Sequence, residues 1–135
     1  MKTDYLFLNR ILTGISEKQS HIVDVLELSE EVKQPHLAIG NDEYLDKFYG
    51  HLQLLKDTGA IVELCGRDLG VHYLNDGKFN CSDCKLRLTA AGYDLAKLLE
   101  EKNFVEKLKK MTVSSVVFAA KAAAEKGIDK LLDSL

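Results

Sequence analysis

Apolar residues recur at helical spacing in three segments, which predicts amphipathic helices at 4–17, 41–58 and 89–102. Polar residues suited to capping stand at the start of each helix, and the candidates are Thr3 or Asp4, Asn41 or Asp42, and Thr89. The expected inward faces are Leu8, Ile11, Leu12 and Ile15 in the first helix, Leu45, Phe48, Leu52 and Leu55 in the second, and Leu95, Leu98 and Leu99 in the third. Gly59 is expected to end the second helix, because glycine suits the left-handed cap.

Segments with strand character lie between these helices. The segment 20–28 alternates weakly and predicts a short strand. In 29–41, Pro35 excludes a long helix, and the pattern shows no convincing second helix of a helix-turn-helix. Further strands are predicted at 60–64, 71–74 and 85–88, with a turn at 75–78 between the last two. The order predicts an α+β fold in which a small antiparallel sheet packs on helices.

The remainder of the chain predicts a C-terminal helical tail. We expect one domain over 1–102 and a tail over 103–135. The tail has a narrow stripe of small apolar residues, formed by Val113, Val117, Ala120 and Ala124. Small side chains let two helices approach closely. Two interpretations stay open: homodimerisation through 112–135, and packing of the tail on its own domain.

Two segments resemble winged-helix proteins. The run FYGHLQLLKDTGAIV, at 48–62, resembles the exit of a recognition helix through a leucine pair and a glycine into a strand. The run RLTAAGYDL, at 87–95, resembles the motif in which the last wing strand ends and a threonine caps the next helix. Together they resemble a family of small, uncharacterised, prophage-associated winged-helix proteins, in which a helical tail also follows. The resemblance implies a winged helix-turn-helix-like domain with a wing at 66–84, but it implies no single function.

Composition narrows the class of protein. The chain has 135 residues, of which 46% are hydrophobic and 29% charged, and this suits one folded domain. No run approaches the ~18 consecutive apolar residues needed to span a bilayer, and the start resembles no signal peptide. We therefore expect a cytoplasmic protein with no membrane partner. Phosphate-binding glycine loops and hydrolase signatures are missing from the sequence, so we expect a binding protein and not an enzyme.

Charge leaves two functional hypotheses open. The formal net charge is −3, and the predicted recognition helix 42–57 carries four acidic and two basic residues. The wing with its last strand, 66–87, carries four basic and three acidic residues. The candidate contact residues are Lys47, His51 and Gln53 in the helix, and Arg67, Lys78, Lys85 and Arg87 in the wing. The first hypothesis is a DNA-binding transcriptional regulator. The second is a phage-borne protein-interaction module that inhibits a host defence complex, with an acidic surface imitating nucleic acid.

The cysteines predict a structural zinc site. An odd number of cysteines in a reducing compartment argues against a disulfide framework. Cys81 and Cys84 have the two-residue spacing that lets both thiolates approach one tetrahedral ion. With Cys65 and His72 they would form a four-ligand zinc site that restrains the long wing. The alternative is that Cys65 is a small buried residue and the other two cysteines are exposed or paired.

Overall fold

The computed structural model describes residues 2–33, 41–66, 68–74, 79–109 and 120–121. Within these residues the helices are Tyr5–Ser16 (α1), Val25–Val32 (α2), Asn41–Asp57 (α3), Ala90–Leu99 (α4) and Lys102–Lys109 (α5). The strands are Val23–Asp24 (β1), Ile61–Glu63 (β2), Val71–Tyr73 (β3), Phe79–Cys81 (β4) and Lys85–Leu88 (β5). A short 3-10 turn at Asp68–Gly70 precedes β3. The fold is therefore mixed α and β, as expected.

An antiparallel sheet of β1, β5 and β2 has β5 at its centre. Leu86 and Leu88 of β5 are buried, while Lys85 and Arg87 alternate with them on the exposed face. The buried face contacts α1 and α4. This alternation is the pattern of a sheet with one face in the core and one in solvent.

The three predicted amphipathic helices are confirmed as α1, α3 and α4. Their expected inward residues are buried, except that Leu45 is only partly so. The side chain of Asp4 caps α1 by accepting from the Phe7 N–H at 3.0 Å. Gly59 follows α3 with a φ of 80°, which is the left-handed conformation that glycine adopts readily.

The strand predicted at 20–28 is wrong except at Val23–Asp24. Only Val23–Asp24 pairs in the sheet, and α2 begins immediately afterwards. The Asp24 carboxylate accepts from the Leu26 N–H at 3.0 Å and so caps a helix there. Val25, Leu28 and Val32 are buried at helical spacing. The apparent alternation is thus the start of a helical face. Helix α2 extends to Val32, so the expectation of no convincing second helix in 29–40 is wrong at 29–32, while 34–40 lie outside the described residues.

The strands at 60–64, 71–74 and 85–88 are confirmed, but the last two do not belong to one hairpin. Val71–Tyr73 pairs with Phe79–Cys81, a strand that the sequence pattern missed. Lys85–Leu88 joins the main sheet instead, because its alternating leucines cover the core. The turn predicted at 75–78 lies outside the described residues.

The start of the predicted tail packs on the domain. Helix α5 contacts α4, and Phe104 is 2% exposed within the hydrophobic core. Ala120 is also fully buried, while the rest of the stripe at Val113, Val117 and Ala124 lies outside the described residues. No helix in the described part of the chain is both long enough and apolar enough to cross a membrane.

Candidate functional site

One face of α3 joins it to the start of α1 through a polar network. The Asp4 N–H donates to Nε2 of His51 at 3.0 Å, so this ring nitrogen accepts. Nδ1 of His51 therefore carries the proton and donates to the Lys47 carbonyl at 2.7 Å. The Lys47 ammonium lies 2.8 Å from the Asp4 carboxylate and 4.9 Å from the centroid of the Phe7 ring. Two of the predicted contact residues, Lys47 and His51, thus hold two helices together.

The same network perturbs the Asp4 carboxyl group. Partial burial raises its pKa, but the hydrogen bond with Lys47 and the Phe7 N–H lower it, and the net effect is a pKa below the ordinary value. His51 is fully buried and packs edge-on against Phe7 at a centroid distance of 5.2 Å. A DNA base therefore cannot meet His51 unless this part of the core opens.

Gln53, the third predicted contact residue of α3, and Lys56, the second lysine of this helix, also have partners within the chain. Gln53 is exposed, and its amide donates to the Asp57 carboxylate at 2.9 Å. The Lys56 ammonium forms an ion pair with Glu63 of β2. Both lysines of α3 are thus neutralised by carboxylates of the same chain.

The exposed surface at the start of α3 is acidic. Asp42, Glu43 and Asp46 are all exposed. None of them forms an ion pair with any other residue in the part of the chain that the structure describes. We call these three residues the acidic face of α3. They favour the helix through its macrodipole and would repel a phosphate backbone.

Basic side chains are exposed on the open face of the sheet. Lys85 and Arg87 project from β5, and Val62, which is 37% exposed, lies opposite Arg87. The carboxylates of Asp24 and Asp83 lie near Lys85. A hydrogen bond with Asp83 lowers the pKa of the Asp24 carboxyl group, and the positive charge of Lys85 lowers this pKa further. The other two basic candidates of the predicted wing, Arg67 and Lys78, lie outside the described residues.

The cysteines are arranged differently from the sequence expectation. A disulfide joins Cys65 and Cys84, with their Cα atoms 5.3 Å apart. The expectation of no disulfide is therefore wrong, because the pairing of β2 with β5 brings the two positions together. The Leu64 N–H donates to the Lys85 carbonyl at 2.7 Å and extends this pairing to the residues beside the cysteines.

A carboxylate that the sequence analysis missed completes this cluster. Oε2 of Glu63 lies 3.4 Å from Sγ of Cys65, and it accepts from the Leu69 N–H at 2.7 Å. Leu69 has a φ of 57°, unusual for a residue with a side chain, and is buried. The Glu63 carboxylate therefore fixes a strained turn as well as facing the disulfide. The only signal in the sequence was a glutamate two residues before a cysteine, which is too common to single out.

The other two predicted zinc ligands lie elsewhere. Nε2 of His72 shares a hydrogen bond of 3.0 Å with the Ser82 hydroxyl. Cys81 is outside the disulfide, and its partly buried thiol lies beside Tyr49. Burial of the Tyr49 hydroxyl raises its pKa, and the interaction with the Cys81 thiol raises it further. The group of potential ligands found among the described residues consists of Glu63, Cys65 and Cys84, whose ligand atoms lie within 4.8 Å of one another.

Comparison with family models, curated proteins and solved structures finds no match to this chain. The resemblance to prophage-associated winged-helix proteins accordingly stays a prediction.

Proposed function

We propose that this chain is a non-enzymatic winged-helix protein whose partner is a protein with a basic surface, bound by the acidic face of α3. The order of elements and the strand order β1-β5-β2 support a winged-helix interpretation, in which α3 occupies the place of the recognition helix. In this interpretation the connection from Leu64 to Cys84 is the wing, and it contains the β3–β4 hairpin.

The observation that carries this proposal is the distribution of charge on α3. Lys47 and Lys56 are held in ion pairs within the chain, whereas Asp42, Glu43 and Asp46 are exposed. A helix that presents acids and no unpaired lysine is unsuited to the major groove and suited to a basic protein surface. From the resemblance to prophage-associated proteins, we infer that the partner is a component of a host complex.

A second candidate function is DNA binding through the wing side of the domain. The exposure of Lys85 and Arg87 on β5 favours it, because both side chains reach the solvent on the open face of the sheet, where a phosphate could approach them. In this interpretation the protein is a transcriptional regulator that contacts DNA through the sheet face and not through α3.

Two reciprocal variants separate these functions. One neutralises the acidic face of α3 by D42N, E43Q and D46N, and the other removes the sheet cations by K85A and R87A. All of the changed side chains are exposed, so each variant serves as the matched control of the other. Proteins captured from host extract are purified and titrated against each variant, and duplex DNA flanking the gene is tested by gel shift over a range of salt.

For the proposed function, the neutralised α3 variant binds the purified partner about tenfold more weakly or worse, mainly through slower association. The sheet variant binds that partner as the parent does. For DNA binding, the parent shifts the duplex at low salt, and the sheet variant reduces the salt slope by roughly 1.8 for two lost phosphate contacts. The first proposal is overturned if the parent binds DNA and no protein from the extract binds the neutralised α3 variant more weakly than it binds the parent.

A further inference from the structure

We propose that Glu63, Cys65 and Cys84 form a redox-gated zinc site, which exists when the disulfide between the two cysteines is reduced. This inference is independent of the proposed partner. It also replaces the ligand set expected from the sequence, because neither His72 nor Cys81 belongs to the cluster.

Geometry supports this ligand set. The carboxylate oxygen and the two sulfurs lie within 4.8 Å of one another. Bond lengths to tetrahedral zinc place neighbouring ligand atoms about 3.3–3.8 Å apart. The sulfurs must therefore separate from bonding distance, while the carboxylate, 3.4 Å from Cys65, already lies at the right spacing.

The glutamate is held in place for this role. Its side chain is 11% exposed, Lys56 pairs with one carboxylate oxygen, and the Leu69 N–H donates to the other. Burial raises the pKa of Glu63, but these two partners outweigh burial and keep its pKa below the ordinary value. Carboxylates that bind metals are themselves commonly oriented by hydrogen bonds of this kind. Glu63 is thus an oriented anion beside the sulfurs.

The chemistry of the donors favours zinc. Two thiolates and a carboxylate suit a borderline-soft divalent ion better than calcium or magnesium, which prefer oxygen ligands. Three protein ligands leave the fourth tetrahedral position for water. Zinc would tie the end of β2 to the start of β5 in a reducing compartment, where the disulfide does not persist.

Two steps convert the disulfide into the zinc site: reduction of the sulfur–sulfur bond and then binding of the ion. A dithiol reductant supplies two electrons and two protons to the sulfur–sulfur bond, giving two thiols and the oxidised cyclic disulfide of the reductant. Binding of Zn²⁺ then releases the two thiol protons and leaves two thiolate–zinc bonds. In the reverse direction a small-molecule disulfide takes two electrons from the thiolates and two protons from water, leaves as two thiols, and restores the bond between Cys65 and Cys84, which releases Zn²⁺.

The test measures zinc bound to the full chain in both redox states. The protein is reduced with a phosphine, because a dithiol would compete for the metal. It is then incubated with zinc, desalted and analysed for metal content, and its affinity is measured by competition with a chromophoric chelator. Cobalt substitution adds an independent readout, since thiolate-to-cobalt charge-transfer absorption reports the sulfur ligands. The variants are C65S, C84S and E63Q, with C81S and H72A as matched controls, and circular dichroism verifies that each is folded.

We expect one zinc per reduced chain and none per oxidised chain. C65S and C84S should abolish binding and the cobalt band, and E63Q should weaken affinity by about tenfold or more. C81S and H72A should bind as the parent does. The proposal is overturned if the reduced, folded parent retains no zinc. It is also overturned if C81S and H72A lose the ion while E63Q keeps it, which would identify the four-ligand set expected from the sequence.

Discussion

Gly92 lies so close to Ala60 that a Cβ on Gly92 would stand 2.1 Å from the Ala60 carbonyl oxygen. The two residues belong to the two segments that resemble winged-helix proteins. Thr89 strengthens this junction, since its hydroxyl donates to the Gly59 carbonyl at 2.6 Å and accepts from the Gly92 N–H at 3.1 Å. The two resembling segments are therefore opposite sides of one contact between α4 and the start of β2.

The substitution G92A should destabilise the fold by about 1–3 kcal/mol, because the new methyl group meets backbone and not a flexible side chain. Urea denaturation followed by circular dichroism measures the change. G14A is the matched control: Gly14 lies within α1, and its nearest neighbour is the end of the Leu28 side chain at 3.1 Å. A smaller effect is expected there, because the end of a leucine side chain can shift whereas backbone cannot. A G92A midpoint equal to or above that of the parent would refute the close contact.

Replacing Thr89 by valine should cost about 1–2 kcal/mol, because the isosteric side chain cannot cap α4 or donate to Gly59. T89S keeps the hydroxyl and should recover most of the loss. The measurement is the urea midpoint of both variants. A T89V midpoint equal to that of the parent would show that the hydroxyl contributes nothing.

The H51A variant should lose about 2–4 kcal/mol of stability, because it leaves a cavity and removes the partner of the Asp4 N–H. Q53A, on the exposed side of the same helix, should change stability by no more than about 0.5 kcal/mol. The measurements are the thermal and urea unfolding midpoints of both variants and the parent. An H51A protein that is as stable as the parent but fails to bind a partner would restore His51 as a contact residue.

Asp4 should contribute to the acid sensitivity of the fold. Its pKa lies below the ordinary value, so its contribution to stability is full above the unfolded-state pKa of about 3.9 and is lost as the pH falls through the lower, folded-state value. We therefore expect the urea midpoint of the parent to fall more steeply below about pH 4 than that of D4N.

The control for this experiment is D46N, which removes an exposed carboxylate that has no ion pair among the described residues. Its midpoint should follow the parent across the same pH range. If D4N and the parent lose stability in parallel on acidification, the ion pair between Asp4 and Lys47 contributes nothing to the linkage.

Local pattern predicted those parts of the fold that depend on neighbours along the chain. The helical spacing of the apolar residues in α1, α3 and α4 specifies which face enters the core, and Thr89 and Gly59 mark helix ends by their own conformational preferences. The alternation of Lys85 to Leu88 likewise predicts a half-buried strand. These features arise within one or two turns of backbone, so the sequence alone carries them.

Tertiary structure decided what depends on distant partners. The segment after Val23 becomes a helix because Asp24 caps it and because its leucine and valines reach a core that the local pattern does not reveal. His51 is internal because Asp4, 47 residues away, supplies an N–H. The meeting of Glu63, Cys65 and Cys84 follows from the pairing of β2 with β5 across a long connection. Sequence spacing favoured the nearer pair of Cys81 and Cys84, whereas strand register determined which side chains share a site.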